Sequence, residues 1–421
     1  MARGMTVRRG FAGFAAAGIM LAMGPLPFTH AQQRVMSVRA IGGGPGGSAQ
    51  VSKRSLERYG EVVGWDSETQ ETARAIHEGY VAAMEAAQKT RRAAFEEMRR
   101  SADDTGDHTV FMERMPKVET EFRETSQRLE KALFADLRAL LTPAQEAQWE
   151  RVERMRRREV GLREATLSGE GVDLVEVVAG LKLDEAARQG VAPALDEYEA
   201  DLDRALEAKL AIKADVDGLR PMANPGDQQK SMEKMQKAME SGREASKRVQ
   251  DVNTRHARRI ADALPEGVRA AFDEELKKRS FPRVYRTSGV ARELNGALAL
   301  TDLSSEQREA LASIKAQYER DLATVNDRWA AAIRESEVSS QDGAFATPAG
   351  VMRISMGDEP EPLKEARKAR RELDEKTSER FKSLLTPGQK ERLPKAPEER
   401  DEVGGMQIME AATVVIEGSG H

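Results

Sequence analysis

Three methionines come nearest to a binding site by their type and spacing. Met232, Met235 and Met239 recur at helical spacing, with Met222 close by, in a segment that is also rich in Gln and Lys. Thioether side chains adapt to irregular apolar surfaces, and their soft sulfur atoms suit Cu(I). Such a stripe is more common in a helix core. Core packing, contact with a partner protein and copper binding are therefore the three alternatives.

The histidines are not arranged as a set of metal ligands. Beyond the first thirty residues they are His77, His108, His256 and His421, and no two of them lie three or four positions apart. Zinc sites built on helices usually draw on pairs at such spacing. Surface or capping roles are the favoured interpretation, and no metal site is predicted from these residues.

An acidic turn and a glycine-rich stretch are weaker candidates. Asp103, Asp104 and Asp107 stand beside His108 and have the oxygen ligands for a cation, but a solvated turn is the simpler interpretation. Residues 42–48 are rich in glycine, yet no Gly-Lys-Ser/Thr follows, so a flexible linker is favoured over a phosphate-binding loop. No nucleophile and base form a recognisable grouping, and neither an enzymatic activity nor a cofactor is predicted.

Charge and cysteine content bear on the class of protein. Lys and Arg number 66 against 71 Asp and Glu, which gives a formal net charge of −5 and a mildly acidic chain. Nucleic-acid binding needs a basic face, so nucleic acid is not an expected partner. The basic run at 154–158 is interpreted as a solvated helix face, with attraction of acidic partners as the alternative. The chain has no cysteine, so its stability depends on packing without disulfides.

The elements that must position these residues are helices. Charged residues make up 33% of the chain and aromatic residues only 5%, a composition typical of long, solvent-rich helices. Apolar residues recur with heptad-like, coiled-coil spacing between Phe111 and Leu140, and a narrow stripe of this kind requires antiparallel helical partners. Gly, Pro, Asp and Asn accumulate in 101–107 and 219–228, which predicts turns between helices. The predicted fold is therefore all-α.

An internal repeat organises the helices. Similar segments begin at Trp65, Leu183 and Leu303, and each ends at the same distance on a tyrosine, namely Tyr80, Tyr198 and Tyr318. A second marker follows each of them and starts at Leu141, Leu264 and Leu385. Two independent markers at near-constant intervals predict three tandem helical units of domain size.

The second marker has the sequence of a helix start. Thr142 is placed to be the N-cap, Pro143 the first helical residue, and Gln145 the residue that reaches back to the N-cap amide. At the starts with no glutamine in this position, Asp66 and Asp184 are the predicted caps. Strict copies of the Leu-Thr/Ser-x-x-Gln capping box are formed by Leu141, Thr142 and Gln145, by Leu303, Ser304 and Gln307, and by Leu385, Thr386 and Gln389.

The markers divide the chain into predicted segments. Each unit is predicted to be a long antiparallel helical hairpin with a short third helix, and a helix over 66–100 would be roughly 50 Å long. Short β-favouring runs are confined to the tails, at 34–41 and 406–416. The predicted boundaries are a signal peptide at 1–31, a flexible linker at 32–58, repeat units at 59–172, 173–289 and 290–399, and a C-terminal tail at 400–421.

The first residues have the composition of an export signal. Arg3, Arg8 and Arg9 form a positive region before an apolar stretch at 11–23, and Ala31 closes a segment with the small residues of a cleavage site. The apolar stretch is short for a membrane span, although an uncleaved anchor is the alternative. We therefore expect cleavage after Ala31, a periplasmic location and no stable membrane insertion. The Sec and Tat routes both remain open.

These motifs resemble those of a known family. Leu-Thr/Ser-x-x-Gln at 141–145, 303–307 and 385–389, paired across hairpin-length intervals in an exported, cysteine-free helical chain, is similar to the periplasmic LTxxQ proteins, the Spy/CpxP group. The similarity covers most of the chain, from about Trp65 to Leu393. It departs from the family pattern, because family members usually carry one pair of markers. The resemblance implies a helical cradle that acts as an ATP-independent chaperone or envelope-stress modulator, with zinc binding in some relatives.

Three classes of function are consistent with the sequence. The first is a periplasmic, ATP-independent chaperone-like or envelope-stress binding protein whose partners are unfolded or envelope protein clients. Met232, Met235 and Met239 are then candidate client contacts. The second is a structural or scaffolding helical protein of the envelope with one fixed partner. The third is a periplasmic sensor or buffer that responds to zinc or copper.

Overall fold

The fold is all-α, as the composition predicts. A computed structural model describes residues 36–41, 50–107, 109–217, 228–339, 343–347, 350–356 and 360–394, and helices account for most of them. The chain divides into two compact units, with the boundary between Trp149 and Glu150. The three strands among the described residues are short: β1 Met36–Ile41, β2 Gly343–Thr347 and β3 Gly350–Met356.

The first compact unit is built on one long helical hairpin. Its helices are α1 Lys53–Val63, α2 Ser67–Thr105 and α3 Thr109–Ala139, with the beginning of α4 Glu146–Arg163. Asp66 caps α2 by accepting the amide of Thr69 at 2.8 Å, and Gly106 ends α2 with a φ of 67°. α2 packs along α3, and the core includes buried Leu56, Tyr59, Met84, Leu133 and Leu137.

The segment predicted as a flexible linker, 32–58, differs from that description. It contains strand β1 and the beginning of α1. The Ser52 hydroxyl accepts the amide of Ser55 at 3.0 Å and so caps α1, while Leu56 and Tyr59 are fully buried. An amphipathic face therefore fixes the end of this segment.

The second compact unit contains two long helical pairs. Helix α6 packs along α7, and α10 packs along α11. The largest apolar cluster surrounds Tyr198, Leu202, Leu206 and Phe272, and a separate one joins α9, α10 and α11 around Leu311 and Phe381. The helices after α4 are α5 Leu174–Ala179, α6 Glu185–Asp217, α7 Gln228–Ala263, α8 Glu266–Ser280, α9 Gly289–Leu298, α10 Ser305–Ser339, α11 Glu361–Ser383 and α12 Pro387–Glu391.

A short β-hairpin lies between α10 and α11. Strands β2 and β3 pair antiparallel, with Gly343 opposite Ile354 and Thr347 opposite Gly350. The sequence analysis found β-favouring runs only in the tails, at 34–41 and 406–416, so this hairpin was not predicted. The predicted signal peptide at 1–31 and the predicted tail at 400–421 lie outside the described residues. None of the described helices is both long and apolar enough to span a bilayer.

Candidate functional site

Two of the Leu-Thr/Ser-x-x-Gln markers meet at one end of the α10–α11 pair. Each forms a reciprocal capping box in which side chain and backbone satisfy each other. The amide of Ser304 donates to Gln307 Oε1 at 3.0 Å, and the Gln307 amide donates to Ser304 Oγ at 3.1 Å. At the second marker, Thr386 and Gln389 make the same two bonds, at 2.9 and 3.3 Å. These bonds fix the starts of α10 and α12.

The glutamine amides also cross from one marker to the other. Gln307 Nε2 donates to the carbonyl oxygen of Leu384 at 2.7 Å, and Gln389 Nε2 donates to that of Asp302 at 3.2 Å. Gln307 Nε2 lies 3.1 Å from Gln389 Oε1. A carboxylate could accept the capping amide but has no N–H with which to make the crossing bond. Glutamine suits this position because its oxygen accepts the capping amide and its nitrogen donates the crossing bond.

The first unit contains one such glutamine. Gln145 Oε1 accepts the amide of Thr142 at 3.0 Å, and Gln145 Nε2 donates to Gly64 O at 2.9 Å. The Thr142 hydroxyl donates to Gln145 Oε1 at 3.0 Å, and α4 begins only at Glu146. Thr142 is thus not the side-chain N-cap that the sequence predicted. A turn intervenes, so its hydroxyl is bonded to the glutamine instead of a helix amide.

The markers between these two sites use other groups. Asp184 Oδ1 accepts the amide of Ala187 at 2.8 Å, as predicted for a cap without glutamine. At the start of α8, Pro265 occupies the N-cap without a side-chain bond. The Arg269 guanidinium donates to the carbonyls of Leu264 and Asp262, each at 3.0 Å. At this marker the Arg269 guanidinium donates to backbone carbonyls, as the side-chain amide of glutamine does at the strict markers.

Two of the three repeated tyrosines tie short helices to long ones. Tyr198 OH accepts the amide of Leu174, at the start of α5, at 3.3 Å and lies 3.0 Å from Asn253 Oδ1 on α7. Tyr318 OH donates to Asp374 Oδ1 at 2.6 Å and lies 2.6 Å from the hydroxyl of Ser288, the N-cap of α9. Burial, together with the Asp374 hydrogen bond, raises the pKa of Tyr318 to about 12. These two phenols are structural hydrogen-bonding groups. The sequence analysis identified the tyrosines as repeat positions but did not predict their hydrogen bonds.

A buried ion pair anchors the loop between α4 and α5. Glu170 is 0% exposed, and its Oε1 lies 2.5 Å from Lys209 Nζ on α6. Its other oxygen accepts the amides of Thr166 and Leu167 at 2.6 and 2.9 Å. Lys209 also donates to the carbonyls of Gly161 and Glu164. Because both charges are paired and hydrogen-bonded, the loop is held by a satisfied polar network.

The arginine run at 154–158 is not a solvated face. Arg158 is buried and pairs with Asp173 at 2.9 Å and with Glu199 at 3.0 Å. Arg157 pairs with Asp203 at 2.7 Å. These arginines therefore join α4 to α6 and are engaged in internal ion pairs, which corrects the interpretation made from the sequence.

The described histidines make internal hydrogen bonds. His77 Nε2 lies 2.7 Å from Val51 O, and His256 Nε2 lies 2.8 Å from Asp201 Oδ2. The bond to His256 holds the pKa of Asp201 below its usual value. His108 and His421 lie outside the described residues. No group of three His, Cys, Asp or Glu side chains within the described residues is arranged to hold a metal ion.

The remaining candidates from the sequence are the three methionines and the aspartates of the acidic turn. Met232, Met235 and Met239 belong to α7, and their side chains are outside the described part of the structure. Asp107 Oδ1 accepts the Thr109 amide at 2.9 Å and its hydroxyl at 2.7 Å, so this acid organises the start of α3. Asp103 and Asp104 lie exposed near the end of α2.

Comparison of the chain with protein-family models, with curated proteins and with solved structures gave no match.

Proposed function

We propose that the mature chain is a periplasmic, ATP-independent chaperone-like or envelope-stress binding protein of the LTxxQ type. The observation that carries this proposal is the meeting of markers 303–307 and 385–389 at one end of a helical pair, with Gln307 and Gln389 in contact. Paired markers of this sequence are the basis of the resemblance to that family.

The proposal includes a three-unit organisation of the chain. Each long pair, α2–α3, α6–α7 and α10–α11, follows a short helix and precedes another. Tyr80, Tyr198 and Tyr318 are all buried in the first long helix of a pair. Equivalent order and equivalent buried tyrosines support three related units within two compact bodies.

A scaffold that binds one fixed partner is the second candidate. The small amount of exposed apolar surface favours this candidate. Among the described residues, Val338 is the single large apolar side chain that is exposed. A permanently open client-binding surface would expose a contiguous apolar patch. The two candidates differ in their effect on unrelated unfolding proteins.

Light scattering of aggregating clients tests the proposal. The mature protein, without nucleotide, is expected to suppress aggregation of several unrelated clients at near-stoichiometric ratios. Salt should weaken capture of oppositely charged clients, because charged groups assist the encounter. Unchanged aggregation with a several-fold excess of the protein would reject the chaperone and leave the scaffold.

The proposed location has its own test. We expect protein recovered from the envelope to begin at Gln32, because Ala31 closes the predicted cleavage site. Intact mass of the periplasmic fraction measures this directly. Full-length protein in the membrane fraction would show that the apolar segment at 11–23 is an anchor.

A further inference from the structure

Two of the repeated tyrosines occupy equivalent junctions in the second compact unit. Each hydroxyl lies at the start of the short helix that precedes its long helical pair. Tyr198 OH accepts the amide of Leu174, the first residue of α5, at 3.3 Å. Tyr318 OH lies 2.6 Å from the hydroxyl of Ser288, the N-cap of α9. The tyrosine of each first long helix therefore fixes where the preceding short helix begins.

The other partner of each tyrosine hydroxyl has a constant position in the sequence. It lies on the second long helix of the pair and is Asn253 Oδ1 at 3.0 Å in α7 and Asp374 Oδ1 at 2.6 Å in α11. Asn253 lies 11 positions before Leu264, and Asp374 lies 11 positions before Leu385. These two leucines begin the second markers of their units. A side-chain oxygen acceptor at this position is thus a third repeated feature.

The start of α1 indicates a similar junction in the first unit. His77 Nε2 lies 2.7 Å from Val51 O, the carbonyl that directly precedes the N-cap of α1. In the second compact unit the carbonyl that directly precedes the N-cap of α5, Val172 O, lies 3.3 Å from Tyr198 OH. His77 is three positions before Tyr80, and their ring centroids lie 6.0 Å apart. Tyr80 is therefore close to the start of its short helix, as the other two tyrosines are.

The residue of the first unit that corresponds to Asn253 and Asp374 is on α3. It is Glu130, 11 positions before Leu141, where the second marker of this unit begins. The sequence therefore has a carboxylate at the position where the other units have an amide or a carboxylate.

The register of α2 and α3 independently places Glu130 opposite Tyr80. The 2.8 Å ion pair between Arg91 and Glu119 identifies turns of the two helices that face each other. Tyr80 lies 11 positions before Arg91, and Glu130 lies 11 positions after Glu119. Eleven residues make about three turns of an α-helix and keep to one face. Because the helices are antiparallel, the two steps run in the same direction, and Tyr80 and Glu130 face each other as the ion pair does.

We propose that Glu130 is the hydrogen-bond acceptor of the Tyr80 hydroxyl, so that the chain carries the same junction three times. The inference rests on the three-unit organisation that is part of the proposed function. The Tyr80 hydroxyl is buried, and buried hydroxyls are hydrogen-bonded in folded proteins. Each junction fastens the start of a short helix to both long helices that follow. The first and third junctions have a charged acceptor, which makes a stronger hydrogen bond than the neutral amide of Asn253.

A double-mutant cycle in the first unit tests the proposal. Urea unfolding is followed by tryptophan fluorescence in a Trp329→Phe background, because the two remaining tryptophans, Trp65 and Trp149, both belong to the first compact unit. Tyr80→Phe and Glu130→Ala are measured singly and together. A hydrogen bond to a charged acceptor should give a coupling of about tenfold or more in the unfolding equilibrium constant.

The controls separate this hydrogen bond from general effects of the substitutions. Glu124→Ala, at an exposed position on the same helix, should show no coupling with Tyr80→Phe. Glu130→Gln keeps an oxygen acceptor, as Asn253 does, and should retain a smaller, several-fold coupling. A coupling below about twofold between Tyr80 and Glu130 would overturn the proposal.

The outcome for the junction is distinguishable from the outcome for the proposed function. Suppression of client aggregation without coupling between Tyr80 and Glu130 would leave the chaperone standing and reject the third junction. Coupling without suppression of aggregation would support the junction in a protein that acts as a scaffold.

Discussion

Gln307 and Gln389 lie in mutual contact at the end of the α10–α11 pair, with Gln307 Nε2 3.1 Å from Gln389 Oε1. Each oxygen caps its own helix while each nitrogen donates to a carbonyl beside the other marker. The contact makes two separate helix starts a single structural unit. Its consequences for stability can be measured by exchanging amide for carboxylate.

Gln389→Glu should destabilise the protein by about 1–3 kcal/mol at neutral pH. The carboxylate keeps the capping bond but places an acceptor against Asp302 O, which then lacks its donor. Acid should reduce the deficit, because a protonated carboxyl regains one O–H donor below a pKa of roughly 4.3. Thermal unfolding at several pH values measures the effect, with exposed Gln127→Glu as control. A pH-independent deficit would contradict the crossing bond.

Thr386→Ala and Thr142→Ala form a matched pair of marker variants. Thr386→Ala should cost about 1 kcal/mol, because Gln389 N loses its side-chain acceptor. Thr142→Ala should cost less, since its hydroxyl bonds to Gln145 Oε1 and caps no helix amide. Chemical unfolding of both variants measures the difference, and Thr386→Ser should retain most of the stability. Equal losses would show that Thr142 also acts as a cap in solution.

Tyr318→Phe should be destabilised and should lose part of its alkaline sensitivity. The folded pKa of Tyr318 is raised to about 12 from 10.0, so its contribution is complete below pH 10 and is lost as pH rises towards 12. Removing the hydroxyl also leaves buried Ser288 and the Asp374 carboxylate without this partner. The slope of stability between pH 10 and 12 should become shallower in Tyr318→Phe. An unchanged slope would show that a group other than Tyr318 is responsible for the pH dependence in this range.

Lys209→Met should destabilise the second compact unit by about 3–5 kcal/mol. The substitution leaves Glu170 charged and fully buried without its cation. The double variant Lys209→Met with Glu170→Gln should be less destabilised than the sum of the single variants, because no uncompensated charge remains. Urea unfolding of all four proteins gives the coupling free energy. Strict additivity would mean that the pair does not interact in solution.

Composition and helical periodicity were sufficient to predict the all-α class, and the caps at Asp66, Asp184, Ser304 and Thr386 followed from local sequence. Contacts between distant segments were not predictable in the same way. Nothing in the sequence indicates that Gln145 donates to Gly64 or that Arg158 is buried between Asp173 and Glu199. Charged residues are so frequent here that pattern alone does not separate a buried pair from a solvated one.

The glycines beside Glu170 offered one usable signal. Gly169 has a φ of 76°, a conformation that favours glycine, and it directly precedes the buried carboxylate. An acid between two glycines in a short interhelical loop indicates a constrained turn around a charge. The identity of its partner, Lys209, depends on the packing of α4 against α6 and was outside the reach of local sequence.

The Ser168 amide, in the loop that Glu170 anchors, donates to Glu337 Oε1 on α10 at 2.8 Å, and this contact sets an order on folding. Its residues are separated by 169 positions, whereas Arg91 and Glu119 in the first hairpin are separated by 28. Closing a longer chain segment has a larger entropic cost, so local hairpins form before long-range contacts. A chain that emerges from its N-terminus can complete α2 and α3 early, while the bond between Ser168 and Glu337 forms only after α10 has emerged. Until then the loop at 164–172 is held only by its contacts with α6 and α7, among them the Glu170–Lys209 pair and the bond from Gln250 to Ser168 O.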